Sequence, residues 1–229
     1  MSTNTQRLLT ILALIGLATP GAVAAQNKVF IEQVGNTNTV SITQVGSTNR
    51  VGNSGSGNQS SITGSNNTLT TSQTGDSNII DYAVIGNGNT ISKTVTGDTN
   101  QITFTCGDGT TSCTSVTSTM TVAGDLNTVT STIKGSNITN TLGITGDSNT
   151  VTQTITTSNS SSNITILGDS NTFTSTMSGT SAGGGHSLVA AVTGTSNTHT
   201  VTQYGVVDTV VSIVTNGNSN TVTVNTGKN

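Results

Sequence analysis

The sequence predicts an all-β chain, a β-solenoid of about nine coils with roughly 22 residues and two strands per coil. Three observations lead there. A corner of Gly, a small polar residue, any residue and Asn recurs along nearly the whole chain, as in Gly146-Asp147-Ser148-Asn149. An alternating run follows each corner, here Thr150-Val151-Thr152-Gln153-Thr154-Ile155, and a period of two is that of a strand. The composition leaves few other ways to fold, because aromatic residues make up 2 %, charged residues 7 %, and Trp is absent. A conventional core needs large apolar side chains to offset ordering entropy of about 1–2 kcal/mol per residue. This chain must instead gain stability from regular backbone pairing repeated many times. Disorder fits less well, since the single Pro stands at position 20 and the strand formers Thr, Val and Ile are abundant.

Residues 1–25 are of a different kind. Arg7 precedes an apolar run from Leu8 to Ala18 and a small-residue stretch, Gly21-Ala22-Val23-Ala24-Ala25. That is the layout of a secretory signal peptide cleaved after Ala24 or Ala25, so this segment is set apart from the fold. The run is short of the ~20 residues that span a bilayer, and no later stretch reads as a membrane span. Without Arg7, five Lys and Arg face nine Asp and Glu, a formal charge of −4. An acidic chain is a poor partner for nucleic acid.

From Gln26 the repeat begins at once. Gly35 and Gly46 lie one 11-residue step apart, as do Asn38 and Asn49, and the same step returns at Gly75, Gly86 and Gly97. The looser patch from Gly52 to Asn67 offers Gly57 and Gly64 as corners. Farther on, full corners fall at Gly124, Gly146, Gly168, Gly194 and Gly217, about 22 residues apart. Between them lie degenerate corners at Cys106–Cys113, Gly135, Thr157–Ser162, Gly179–Gly185 and Gly205–Asp208, which hold the extra residues. The strict edge is thus expected at 35, 57, 75, 97, 124, 146, 168, 194 and 217, and the stack at roughly 40 Å for about 4.8 Å per strand.

Alternation assigns faces. Asn149, Val151, Gln153 and Ile155 are expected to point inward, with Asn127, Val129, Ser131, Ile133 and Asn171, Phe173, Ser175, Met177 stacked on them. Stacked Asn and Gln can hydrogen-bond along a column, as in cross-β structures. The expected ladder and corner residues are Gln33, Gly35, Asn38, Gln44, Gly46, Asn49, Gln73, Gly75, Asn78, Asn100, Asn127, Asn149, Asn171, Asn197, Gln203 and Asn220. Lys93 falls on the inward set, which predicts a bulge or a local register shift there. Cys106 and Cys113 bracket six residues, and in a secreted chain they read as a local disulfide closing that loop.

The segment from Gln33 to Val51 carries Gln-x-Gly-x-x-Asn-x-[Ala/Val]-x-x-x-Gln, with Gln33, Gly35, Asn38, Val40 and Gln44 in place. A second copy starts at Gln44, with Gly46, Asn49 and Val51, and partial copies occur at Gln73, Gly75, Asn78 and at Asn197, Gln203, Gly205. This resembles the curlin repeat of curli fibre subunits. The resemblance implies secreted subunits that stack end to end into amyloid-like surface fibres for adhesion or biofilm matrix. It also implies a nucleator subunit and an outer-membrane secretion channel as partners. Two departures stand out: only Gln26 to Glu32 precedes the repeats, and the second corners are irregular.

Three constellations compete with that reading. Asp76, Asp98, Asp125, Asp147 and Asp169 each follow a corner Gly, so they form a carboxylate column that either serves turn chemistry or repels itself and collects cations. The calcium-binding nonapeptide is absent, two cysteines cannot make a zinc site, and no cofactor is indicated. The outward Thr128/Thr150/Thr172/Thr198/Thr221 and Thr130/Thr152/Thr174/Thr200/Thr223 columns offer the alternative of a monomeric binding module, ice first. Catalysis has little support: His186 and His199 stand without a nucleophile-elbow motif.

Overall fold

The computed structural model describes residues 11–15, 26–52, 60–179 and 185–227, with residues 11–15 as backbone only. All regular structure in it is strand. In chain order these are β1 (Ile11–Ile15), β2 (Lys28–Val29), β3 (Ile31–Val34), β4 (Thr39–Val45), β5 (Arg50–Val51), β6 (Ser60–Thr63) and β7 (Thr68–Thr74). Next come β8 (Ile79–Asn87), β9 (Thr90–Thr96), β10 (Gln101–Cys106), β11 (Cys113–Thr114), β12 (Thr117–Ala123), β13 (Thr128–Ile133) and β14 (Thr139–Thr145). The last are β15 (Thr150–Ile155), β16 (Ser161–Leu167), β17 (Thr172–Ser178), β18 (Ser187–Thr193), β19 (Thr198–Tyr204), β20 (Val210–Asn216) and β21 (Thr221–Thr226).

Two parallel sheets face one another. Sheet one runs β1-β4-β7-β9-β12-β14-β16-β18-β20, and sheet two runs β2-β5-β8-β10-β13-β15-β17-β19-β21, with β3, β6 and β11 filling its rows. The chain alternates between them, making a β-solenoid of about eight turns. Every strand stacks in register on its counterpart one turn away: Val129 on Val151, Val151 on Phe173, Phe173 on His199 and His199 on Val222. The inward residues of both sheets form one thin core along the axis, including Ile42, Leu69, Ile91, Ile102, Phe104, Met120, Ile133, Leu142, Ile155, Phe173 and Val201. Asn149, Val151, Gln153 and Ile155 are all buried, as their alternation predicts.

The corners explain why the sequence folds this way. At Gly146 the backbone has φ +124°, and a Cβ would lie 2.3 Å from the carbonyl oxygen of Gly168 in the next coil, so the close stacking of corners requires glycine. Two residues on, Ser148 is left-handed at φ 58°, and the same holds for Thr48, Ser77, Thr99, Leu126, Ser170, Ser196 and Ser219. The position read as "any residue" is therefore conformationally special.

Two expectations are corrected. Gly46, not Gly35, stacks on Gly75, while Gly35 stacks on Gly64 and Gly64 on Gly86, so the first coil's two edges are exchanged relative to the expected strict edge. Residues 53–59, which include Gly57, lie outside the described residues. Strands β5 and β6, on either side of them in sequence, both pair with β8 and so share one row of sheet two. Lys93 makes no bulge: it pairs in register with Thr71 on one side and Met120 on the other and is fully buried. Strand β1, in the segment read as a leader, pairs in parallel with β4, Ile11 opposite Val40 through Ile15 opposite Gln44.

Candidate assembly surfaces

The strict edge is organised by a column of asparagines, buried from Asn49 to Asn197. Asn27, Asn49, Asn78, Asn100, Asn127, Asn149, Asn171, Asn197 and Asn220 follow one another at steps of 22, 29, 22, 27, 22, 22, 26 and 23 residues. From Asn49 onward each rung repeats the same side chain–side chain and side chain–backbone bonds. The side-chain oxygen of Asn127 accepts from the backbone N–H of Asn149 at 2.9 Å and from its Nδ2 at 3.1 Å, while Asn127 Nδ2 donates to the carbonyl of Gly146 at 2.8 Å. A corner amide that cannot reach the next coil's backbone is thereby satisfied, which the buried backbone requires. Asn27 opens this column by accepting from the Asn49 N–H at 2.9 Å; sequence reasoning missed it because Ala24 stands where its corner glycine would be.

Asn38 belongs to the other edge. Its side chain accepts from Asn67, and Asn67 in turn accepts from Asn89. Asn89 then accepts from the Val116 N–H, and there the column gives way to Val116, Ile138, Ser160 and His186. Gln44 and Gln73 form a glutamine rung, Gln44 Nε2 donating to Gln73 Oε1 at 2.8 Å. Gln33 and Gln203 do not continue it, because Gln33 sits opposite Ile62, and Gln203 lies between Met177 and Thr226. Gln203 instead donates to the carbonyls of Ser187 and Thr209.

The corner aspartates have a definite structural task. Asp76, Asp98 and Asp125 each donate a backbone N–H to the carboxylate one coil on, at 2.7, 2.7 and 2.8 Å, and Asp147 does the same to Asp169 at 2.8 Å. At the near end Asp76 accepts from the Ser47 N–H and Oγ, which lowers its pKa rather than raising it. Carboxylates thus cap backbone donors along the edge, an account neither local turn chemistry nor cation binding supplies. Among the described residues no group of three His, Cys, Asp or Glu is placed to hold a metal ion.

Cys106 and Cys113 are bonded, at 2.02 Å, and close the excursion of residues 107–112 that lengthens this coil. Asp108 caps the Thr110 and Thr111 amides within it and pairs with Lys134 of the next coil at 2.6 Å; that ammonium, then the amides, hold its carboxyl well below the usual range. The thin core also carries a polar chain. Lys93 Nζ donates to Ser118 Oγ at 2.8 Å, Ser118 to Asn140 Oδ1 at 2.9 Å, Asn140 Nδ2 to Gln153, and Gln153 Nε2 to Ser162 Oγ at 2.6 Å. His199 is buried, stacks on Phe173 with centroids 5.8 Å apart, and is shifted down by desolvation. His186 is fixed in the second edge between Ser178 O and Thr209. Among the described residues the hydroxyl of Thr209 lies 2.9 Å from His186 Nδ1 and that of Thr215 lies 2.8 Å from His199 Nε2.

The outward threonines stack as expected. Thr128, Thr150, Thr172, Thr198 and Thr221 form one column of sheet two, and Thr130, Thr152, Thr174, Thr200 and Thr223 a second. A third holds Thr132, Thr154, Thr176 and Thr202, while Ile79, Asp81 and Ala83 occupy the corresponding places on β8. No helix among the described residues is long and apolar enough to cross a membrane.

Comparison with protein families, with curated proteins and with solved structures finds no match to this chain.

Proposed function

We propose that the chain is a secreted structural subunit that self-assembles end to end into amyloid-like extracellular fibres, serving adhesion or a biofilm matrix. One observation carries the reading: the core is unfinished at both ends of the stack. Val29 and Ile31 at one end and Val222 and Val224 at the other pack against the core yet are only partly buried. Each is a core position without its next layer, and burying apolar surface is worth about 25 cal/mol per Å². End strands also offer backbone donors and acceptors to a further strand. The Asn column is directional, so Asn220 offers a following copy what Asn197 offers Asn220 through bonds of 2.9 Å.

The curlin resemblance supports the same reading and extends it to a nucleator subunit and an outer-membrane secretion channel. The test is direct: the purified, processed protein is followed by thioflavin fluorescence and electron microscopy. Fibres with a cross-β repeat are expected, and a chain that remains a soluble monomer for days overturns the proposal.

A second reading, a monomeric ice-binding module, is favoured by the three threonine columns alone. Thermal hysteresis in the monomeric protein would support it, and unchanged ice recrystallisation would remove it.

A further inference from the structure

The two ends of the stack are out of step by half a coil. Sheet one has nine strands, of which β1 is the first; without the leader segment that contains β1, eight remain. Sheet two keeps nine rows, because β3, β6 and β11 complete rows begun by β2, β5 and β10. Residues 26–227 therefore begin and end with a row of sheet two.

A second copy can add in two ways. If sheet two continues on sheet two, β2 and β3 follow β21, and Val29 and Ile31 cover Val222 and Val224. Sheet one then lacks a strand between β20 of one copy and β4 of the next, leaving a slot whose walls are rows of unpaired N–H and C=O groups. Such groups are costly when left without partners. If the second copy is turned by half a revolution about the stack axis, β4 follows β21, and β2 with β3 follows β20. Val40 and Ile42 then cover Val222 and Val224, Val29 and Ile31 cover Val211 and Ile213, and no row is skipped.

Two observations favour the half-turn, and a third is compatible with it. The edge of β4 accepts a parallel strand, since β1 lies on it in register. The first coil is nearly the same on both edges: Asn27 accepts from Asn49 and Asn38 from Asn67, so either asparagine can take the place of the next rung after Asn220. The exposed surface also discriminates. Val210 and Val214 are 77 % and 80 % exposed, the most exposed large apolar residues described. In the half-turn arrangement Phe30 lies across from Ser212, diagonal to both valines, whereas in the direct one it lies across from Thr223, diagonal to Thr221 and Asn225. Diagonal neighbours about 7–8 Å apart are within reach of an aromatic side chain.

We infer that successive copies in the fibre are related by a half-turn, with β21 of one copy pairing with β4 of the next and β20 with β2 and β3. This rests on the end-to-end fibre reading and fixes its contact. Each side of the fibre would then show sheet one and sheet two alternately, so the threonine columns interrupt at every junction.

Disulfide trapping tests it. Lys28→Cys is combined with Val210→Cys in one protein and with Thr221→Cys in another, both expressed with the leader and recovered after processing; all three positions face outward. Oxidised fibres of the first pair are expected to run as a ladder of covalent oligomers, while the second pair stays monomeric in denaturant. A ladder from the second pair, or from neither pair in fibres visible by microscopy, overturns the half-turn. Absence of fibres in the unsubstituted protein overturns instead the fibre reading on which it stands.

Discussion

Lys93 Nζ lies 3.9 Å from the centroid of the Phe104 ring, and both side chains are fully buried between the sheets. The ring face and the Ser118 hydroxyl at 2.8 Å are the ammonium's partners there. Neither supplies a full opposite charge, so desolvation pulls Lys93 down from 10.5 to about 7. A cation over an aromatic face recovers about 2 kcal/mol when desolvated, less than burying an ion costs.

The sign of the pH effect follows. Between pH 7 and 10.5 the unfolded chain holds a proton on this amine that the folded chain has released. Stability therefore rises with pH across that window, and the full penalty applies below pH 7. Lys93→Met is expected to raise stability at pH 6 by about 1–4 kcal/mol and to flatten the rise between pH 7 and 10.5. Urea denaturation at several pH values checks both; an unchanged slope would show that another group sets it.

Removing one rung of the asparagine column should be severe. Asn127→Ala leaves the buried Asn149 N–H without its 2.9 Å acceptor and Gly146 O without its donor. A cost of about 2–4 kcal/mol is expected for the unmet polar groups. Thr130→Ala, on an outward position, should stay within about 0.5 kcal/mol. Comparable losses at the two sites would mean the column is not what holds the edge.

The left-handed corner position offers the opposite result. Leu126 has φ 59° and is 58 % exposed, so it bears backbone strain and little burial to offset it. Leu126→Gly should stabilise by about 0.5–1 kcal/mol, read as a higher melting temperature. A lower melting temperature would show that the leucine side chain contributes contacts at the corner.

Opening the disulfide by Cys106→Ser with Cys113→Ser should cost about 2 kcal/mol, as expected for so short a loop. The far-UV circular dichroism should persist, because β10 keeps its pairing with β8 and β13. Loss of the sheet signal would make the bridge a condition of folding.

Much of the solenoid was legible because its physics is local. Alternation places Asn149, Val151, Gln153 and Ile155 inward, Gly146 marks the corner, and Cys106 with Cys113 marks an insertion outside the coil. The left-handed residues were not legible, since Leu126 holds the same backbone conformation as Thr48 and Ser148 without their hydroxyl, and only the backbone shows them alike. The exchange of edges in the first coil escaped for a similar reason. With Gly35 and Gly46 in equivalent 11-residue units, spacing alone cannot say which one stacks on Gly75.

By itself the sequence determined that this chain is a stack of short parallel strands with a thin, partly amide core. Period, alternation and corner glycine are each set by a residue and its near neighbours. Only the tertiary structure decided what stacks on what. It set Lys93 in register between Thr71 and Met120 without a bulge, divided the asparagines between two edges, and turned the corner aspartates into caps for the coil before. Those outcomes depend on contacts between residues 22 to 29 positions apart, whose register is fixed only when every backbone donor in the stack has found its acceptor.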